Sequence, residues 1–257
     1  MKAARLEKKF QLFYESPNNV PAPYHLEASF TFEGFLSDKP RVEVSIHYID
    51  RDDFSREELL AEGLNVEDQF TWSGDLSIAW RNRLETAFLL FQSGSCDPRD
   101  VEPFITLEAA DTSTAVPISL ETEDTLMQEF MQAILEVAGN EMPLYLGFQF
   151  TDADGEWTRI EGEMSFFDLK YTYRSGGENG PVRFTDQWNE LQELMQVLFI
   201  GEFIFEKGVE DLKPKTQFAV YPGDGKWYVA GDTWYRPSGN KGYFDLIEDK
   251  LRNLFTI

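Results

Sequence analysis

His47 and the carboxylates that follow it are the residues of this chain best suited by type and spacing to carry chemistry. His47 ends a predicted strand and is followed by Asp50, Asp52 and Asp53. An imidazole nitrogen beside carboxylate oxygens is a donor set that zinc and similar divalent metals accept. A strand that runs out into an acidic surface loop has the same residues. The spacing therefore leaves two interpretations: a hydrolase or metal-dependent enzyme with its site near His47, between two halves of the chain, or a plain loop. No catalytic residue, metal ligand or cofactor is assigned.

Three other stretches contain suggestive residue types but are better explained as loops. Cys96 follows a predicted helix, whereas a reactive thiol favours a helix amino terminus or a neighbouring base. The acidic run 152–156 begins like a calcium loop, but Trp157 and a strand pattern follow at once, which indicates a hairpin turn. The glycines of 175–180 lack the lysine and spacing of a phosphate-binding loop.

Aromatic residues crowd one predicted hairpin, formed by 216–221 and 226–235. Trp227 lies on one face of the second strand, and Tyr228 and Trp234 lie on the other, followed by Tyr235. A single core cannot bury both faces of an alternating strand. The hairpin is therefore covered on both sides, for instance by the other half of the chain, or it presents an aromatic recognition surface. These four residues are the predicted binding residues.

Composition restricts the class of partner. The 257 residues include 46 acidic and 23 basic side chains, a net charge of −23, and the acidic residues are dispersed along the chain. Such a charge repels nucleic acid and anionic membranes, and no run approaches the length of a membrane span. The acidity is explained by a salt-adapted surface, by docking of a basic protein partner or, least simply, by mimicry of DNA. The single cysteine and the charged amino terminus predict a cytoplasmic protein.

Two amphipathic helical segments, 70–91 and 184–205, organise the predicted fold. Each opens with Phe-Thr and places four apolar residues at i, i+4, i+7 and i+8, which predicts one buried helix face. The residues are Trp80, Leu84, Ala87 and Phe88 in the first segment and Leu191, Met195, Leu198 and Phe199 in the second.

Strand patterns around these helices predict an α+β fold, with antiparallel sheets that carry helices on one face. After an amino-terminal helix at 2–15, the order reads as a ββαββα unit that occurs twice. At a constant offset, Pro23, Leu26 and Phe30 correspond to Pro143, Leu146 and Phe150. We therefore expect an internal duplication with halves 1–140 and 141–257 that pack together.

No motif of a known catalytic class occurs in the sequence. The functional hypothesis therefore depends on element order and on charge. Element order and acidity resemble those of the small acidic chaperones of type III secretion, which bind partner segments and act as dimers. The acidic, aromatic-rich chain without a catalytic constellation favours a non-catalytic binding protein, of chaperone-like or immunity-like kind. The sequence thus predicts a monomer or homodimer that holds a basic protein partner and binds neither nucleic acid nor membrane.

Overall fold

The computed structural model describes residues 9–88, 92–93, 104–109, 114–116, 120–151, 157–176, 180–213 and 216–255. These residues fall into two compact units, bounded as Met1–Asn140 and Glu141–Ile257. Each unit combines antiparallel sheet with helices, which confirms the predicted α+β class. Within the described ranges, no helix has both the length and the apolar character needed to cross a membrane.

The first unit is built on one antiparallel sheet with the strand order β4-β3-β2-β1-β6-β7-β5. Its strands are β1 (Phe10–Glu15), β2 (Leu26–Glu33), β3 (Arg41–Tyr48), β4 (Gln69–Asp75), β5 (Gln92–Ser93), β6 (Phe104–Ala109) and β7 (Thr114–Val116). Its helices are α1 (Arg56–Ala61), α2 (Ile78–Phe88) and α3 (Leu120–Val137).

Alternation along the central strands gives this sheet one apolar and one polar face. The apolar face is closed by helices: Phe130 of α3 lies 5.2 Å from Phe30 of β2 and 5.0 Å from Trp80 of α2, measured between ring centroids. The helix residues Trp80, Leu84 and Phe88 are buried, as their spacing predicts. The inward-facing strand residues are Phe10, Leu12, Tyr14, Ala28, Phe30, Phe32, Val42, Val44 and Ile46.

The second unit has a sheet with the strand order β11-β10-β9-β8-β13-β14 and a separate two-stranded ribbon, β12-β15. Its strands are β8 (Leu144–Thr151), β9 (Trp157–Ser165), β10 (Lys170–Ser175), β11 (Val182–Thr185), β12 (Glu202–Phe203), β13 (Phe218–Tyr221), β14 (Tyr228–Val229) and β15 (Trp234–Tyr235). Its helices are α4 (Trp188–Leu198) and α5 (Tyr243–Phe255). Phe255 of α5 packs on Phe148 and Tyr173, with ring centroids 6.4 and 4.8 Å apart.

The predicted amino-terminal helix is wrong over its described part, because Phe10–Glu15 is strand β1. Phe10, Leu12 and Tyr14 alternate with more exposed residues and are buried, so the period of two prevails over the helical spacing of Phe10 and Phe13. β1 pairs with β2 on one side and β6 on the other, and a central position in a sheet stabilises extended backbone. The rest of the predicted helix lies outside the described residues.

The apolar residues of 158–173 change phase near Phe166, a pattern that predicts one long strand with a bulge or a sharp bend at that point. The structure has two strands instead: β9 ends at Ser165, a turn follows, and β10 pairs with β9 from Lys170. The phase shift therefore marks a hairpin turn, in which Leu169 adopts a positive φ of 52°. Because β10 runs antiparallel to β9 after the turn, the buried apolar residues have even numbers before the turn and odd numbers after it.

The main sheets of the two units share part of their topology. In each, four strands pair in chain order as a meander, β1 to β4 and β8 to β11, and a later strand, β6 or β13, pairs with the free side of the first meander strand. The complete element orders differ, because α1 lies between β3 and β4 and β5 follows α2 in the first unit, whereas β12 follows α4 and β15 precedes α5 in the second. As described, neither unit follows the predicted ββαββα order. The constant-offset matching pairs β2 with β8, although β2 is the second meander strand of its sheet and β8 is the first of its own. That particular matching is not consistent with the topology.

Buried tyrosines are expected to make the folded protein less stable at alkaline pH. Tyr14 donates a hydrogen bond to Asp124 at 2.7 Å, and burial together with this carboxylate raises the pKa of Tyr14 well above its ordinary value. Burial likewise raises the pKa of Tyr171, which donates to the Leu146 carbonyl at 2.9 Å. Because the folded pKa lies above the unfolded value of about 10, stability is intact below about pH 10 and falls as the pH rises further.

Urea unfolding of the wild type and Tyr14→Phe at about pH 8 and about pH 11 measures this effect. We expect the variant to be about 1 kcal/mol less stable at the lower pH, because it lacks the hydrogen bond. Its further loss of stability at the higher pH should be smaller than that of the wild type. An equal loss in both proteins would show that Tyr14 does not contribute to the alkaline limit.

Candidate functional site: an aromatic surface on the second unit

The four aromatic residues predicted to bind a partner are not one exposed patch. Trp227 is 2% exposed, and Tyr228 and Trp234 are fully buried, whereas Tyr235 is 37% exposed. The predicted hairpin is also only partly formed, because β14 pairs with β13 while β15 pairs with β12. Three of the four side chains are therefore inside the second unit, where they support other residues and do not present a face themselves.

Trp227 packs on the outward face of the main sheet, against the backbone of β8. A β-carbon at Gly147 would lie 2.8 Å from the Trp227 ring, so glycine permits this close approach. The Arg159 guanidinium lies 4.6 Å from the centroid of the Trp227 ring and is paired with Glu161 at 2.7 Å. The cation and the indole stabilise each other, which fixes Trp227 in place.

Tyr228 and Trp234 form an aromatic base with Phe203 of β12. The rings of Phe203 and Trp234 are parallel, with centroids 5.7 Å apart, and the Tyr228 ring meets Phe203 edge-on at 5.2 Å. The Tyr228 hydroxyl donates to the Asp224 carboxylate, and burial together with this contact raises the pKa of Tyr228 well above its ordinary value. These contacts hold the three rings together.

Glycine is required where α4 leads into β12. A β-carbon on Gly201 would fall on the Trp234 indole nitrogen and the Tyr243 hydroxyl oxygen. That hydroxyl donates to the carbonyl of Leu198, the last residue of α4, at 2.6 Å. The chain therefore leaves the helix directly over the aromatic base, and this geometry determines where the residues around Gly201 point.

Large apolar side chains surround this base and are open to solvent. Phe199, Ile200 and Phe205 are 47%, 59% and 58% exposed. Phe203 connects Phe199 with Phe205, since its ring centroid lies 6.2 Å from that of Phe199 and 6.3 Å from that of Phe205, and Ile200 follows Phe199 in the chain. We call Phe199, Ile200, Phe203 and Phe205 the aromatic surface. Tyr235 lies outside it, opposite Glu202 on the ribbon.

Acidic side chains flank the aromatic surface. Glu202, Glu206, Glu210 and Asp211 are exposed, and the stretch 199–211 contains one basic residue, Lys207. A second lysine, Lys226, donates to the Phe205 carbonyl at 3.0 Å. The surroundings of the aromatic surface are therefore predominantly negative, as is the chain as a whole.

Sequence reasoning missed these residues because it placed Phe199 on the buried face of a helix. α4 ends at Leu198, and the inward positions are Trp188, Leu191, Leu194 and Leu198, whereas Met195 is only half-buried. The available signal was the density of apolar residues in Phe-Ile-Gly-Glu-Phe-Ile-Phe, 199–205, which exceeds what one helix face or one short strand can bury.

The segment that follows His47 is organised by an arginine. His47 Nδ1 lies 3.4 Å from Glu27 Oε1, and both side chains are more than two-fifths exposed. Arg51 is instead 3% exposed; it donates to the Pro23, Asn65 and Glu67 carbonyls and lies over the Tyr48 ring. Within the part of the chain that the structure describes, no group of three His, Cys, Asp or Glu side chains is arranged to hold a metal ion.

The remaining candidate stretches fall wholly or partly outside the described residues. Cys96 and the acidic run 152–156 lie there, as do residues 177–179 of the glycine-rich loop. Comparison of the chain with protein-family models, curated proteins and solved structures gives no significant match. The functional assignment therefore depends on the geometry of the chain itself.

Proposed function

We propose that this protein is a non-catalytic, cytoplasmic binding protein, of chaperone-like or immunity-like kind, that holds a basic protein partner on the aromatic surface. The observation that carries the proposal is the grouping of Phe199, Ile200 and Phe205, each about half exposed, next to a stacked aromatic base. Contiguous exposed apolar side chains rimmed by charge are characteristic of protein interaction sites.

The energetics favour apolar contact as the main source of affinity. Complete burial of a phenylalanine or isoleucine side chain contributes about 1.5 to 3 kcal/mol, and these side chains are already partly buried, so each contributes less than that. The stacked base of Phe203, Tyr228 and Trp234 reduces the entropy lost on binding, because the contacting residues are held before the partner arrives. Tyr228 and Trp234 would thus act by supporting the surface, and Trp227 and Tyr235 lie beyond its edge.

Charge selects the partner. The carboxylates of Glu202, Glu206 and Glu210, together with a net charge of −23, attract lysine- and arginine-rich surfaces and accelerate their association. The same charge disfavours nucleic acid and anionic membrane. We expect binding to weaken as salt screens these charges, while the apolar contact is preserved.

The proposal extends to the architecture. The shared pairing of the main sheets, β4-β3-β2-β1-β6-β7 and β11-β10-β9-β8-β13-β14, supports an internal duplication. Two related halves would let one chain fulfil the role of a homodimer, and we propose a monomer or homodimer as the functional state.

The test replaces the aromatic surface and follows the partner. Wild-type protein and the triple variant Phe199→Ser, Ile200→Ser, Phe205→Ser are each used to capture proteins from an extract of the native host, followed by elution with rising salt and mass spectrometry. We expect a basic protein to be retained in stoichiometric amount by the wild type, eluted by salt, and lost almost completely by the variant.

The matched control is Leu246→Ser, which removes a 43% exposed apolar side chain from α5 of the same unit. It should retain the partner fully. Equal capture by the wild type and the triple variant would exclude the aromatic surface as the binding site, and a partner that is acidic or insensitive to salt would exclude the electrostatic part of the proposal.

A further inference from the structure

The outer strand of the first unit is a long sheet edge without the usual protection. β4 spans seven residues, and among the described strands it has a neighbour, β3, on one side only. Natural edge strands usually discourage further pairing with lysine, proline or a bulge. β4 contains neither lysine nor proline, and its pairing with β3 runs without interruption from Gln69 to Asp75.

The side chains on both faces of β4 are compatible with another strand along its open edge. Phe70 and Trp72 point to the apolar side and remain partly exposed, while Thr71 and Ser73 point to the polar side and are exposed. An added strand would place side chains beside each of these pairs, because side chains alternate along it with the same period of two. The apolar side chains of the added strand would cover Phe70 and Trp72.

Charge decides which kind of chain can occupy this edge. Residues 57–80 contain six acidic residues and no lysine or arginine, and Glu67, Asp68 and Asp75 lie in or next to β4. Glu43 of β3 lies opposite Ser73, and Arg41 lies opposite Asp75. Arg51, which donates to the Glu67 carbonyl, is buried. A second copy of this chain would bring the same negative charges to the same edge, which is unfavourable.

We propose that β4 binds an extended basic segment of a partner protein by strand addition, as an eighth strand of the first sheet. Main-chain hydrogen bonds to the open side of β4 supply affinity, lysine or arginine side chains on the polar face pair with the acidic residues, and apolar side chains cover Phe70 and Trp72. This surface is separate from the aromatic surface, and the inference does not depend on the function proposed for it.

The second unit offers an internal comparison. β11 is also a terminal strand that leads into a helix, but it spans four residues. Arg183 lies within it, and Arg174 lies opposite Val182 on β10. A basic segment should therefore prefer β4 to β11, although the two strands hold equivalent places in their sheets.

The test uses two synthetic peptides as long as β4, seven residues. One alternates lysine and valine, and the other alternates lysine and proline. Both carry the same charge, but proline lacks the N–H that a ladder of strand hydrogen bonds requires. Hydrogen exchange of the full-length protein, read by mass spectrometry, then shows which backbone amides each peptide protects, and fluorescence anisotropy measures affinity.

We expect the lysine-valine peptide to slow exchange across 69–75 and the lysine-proline peptide to leave it unchanged. The double variant Asp68→Lys, Asp75→Lys should bind the lysine-valine peptide about tenfold or more weakly than the wild type. Circular dichroism checks that the variant folds. The triple variant of the aromatic surface should bind this peptide as the wild type does. Failure of strand addition at β4 is therefore distinguishable from failure of the proposed function. Equal protection by both peptides, protection at 182–185 rather than 69–75, or no protection would each overturn the proposal.

Discussion

Gly162→Ala should destabilise the second unit by about 3 kcal/mol, at the upper end of the range for overpacking a well-packed core. Gly162 lies on β9, where β10 approaches so closely that an added β-carbon would fall on the Thr172 carbonyl oxygen and 2.6 Å from Tyr173 Cα. These are backbone atoms, which cannot move aside as the end of a flexible side chain can. The two strands would have to separate, and their separation would disturb Tyr173, which packs on Phe255.

Chemical denaturation followed by far-ultraviolet circular dichroism measures this effect, with Gly242→Ala as the matched control. Gly242 has open space around its β-carbon position and no positive φ, but it precedes α5 and accepts a hydrogen bond from the Leu246 N–H, so alanine there should cost no more than about 1 kcal/mol. A loss below about 1 kcal/mol for Gly162→Ala would show that β9 and β10 can relax apart at little energetic expense.

Arg51→Lys should also be strongly destabilising, by roughly 3 kcal/mol, although it conserves the charge. Arg51 is 3% exposed, and its planar guanidinium donates at 3.1 to 3.3 Å to three carbonyl groups from two separate segments, Pro23 on one side and Asn65 and Glu67 on the other. A lysine ammonium cannot reach all three groups from one position. It would leave buried carbonyl oxygens without donors and lose the contact with the Tyr48 ring, whose centroid lies 3.4 Å from the guanidinium carbon.

The same substitution at Arg56, exposed in α1 a few residues away, serves as the control and should be nearly neutral. Stability is measured by urea unfolding, and hydrogen exchange across 49–68 reports whether the loss is local. Equal stability of Arg51→Lys and Arg56→Lys would mean that the loop 49–68 does not depend on the guanidinium hydrogen bonds.

The spacing of apolar residues was sufficient to predict the helices and strands that bury only one face. The apolar spacing of 243–255 predicts a helix with Ile247, Leu251, Leu254 and Phe255 inward, and α5 lies at Tyr243–Phe255 with these four residues buried. Strict alternation in 41–48 predicts a strand, and β3 spans Arg41–Tyr48. In these cases the period of the apolar residues, 3.6 or 2, identifies the element, because a single neighbouring layer covers it.

Periodicity failed where pairing between distant segments decides the conformation. β1 has an apolar pattern that fits a short helix as well as a strand. Its two sheet neighbours, β2 and β6, both follow it in the sequence, β6 from far along the chain, and pairing with them makes it a strand. Trp234 and Tyr235 were predicted to extend a hairpin with β13, but they pair with β12, more than thirty residues earlier. Such choices depend on which edges remain open once the sheet has assembled.

The sequence alone determined the α+β class and the net negative charge, since these follow from short-range spacing and composition. It also indicated that the aromatic residues around 227–235 exceed what a simple hairpin can bury. Only the tertiary structure decided which aromatic residues are exposed. Burial is a property of the assembled layers: Trp227, Tyr228 and Trp234 lie beneath neighbours drawn from other segments, whereas Phe199 and Phe205, which come just beyond the ends of α4 and β12, extend past those layers and remain open to solvent.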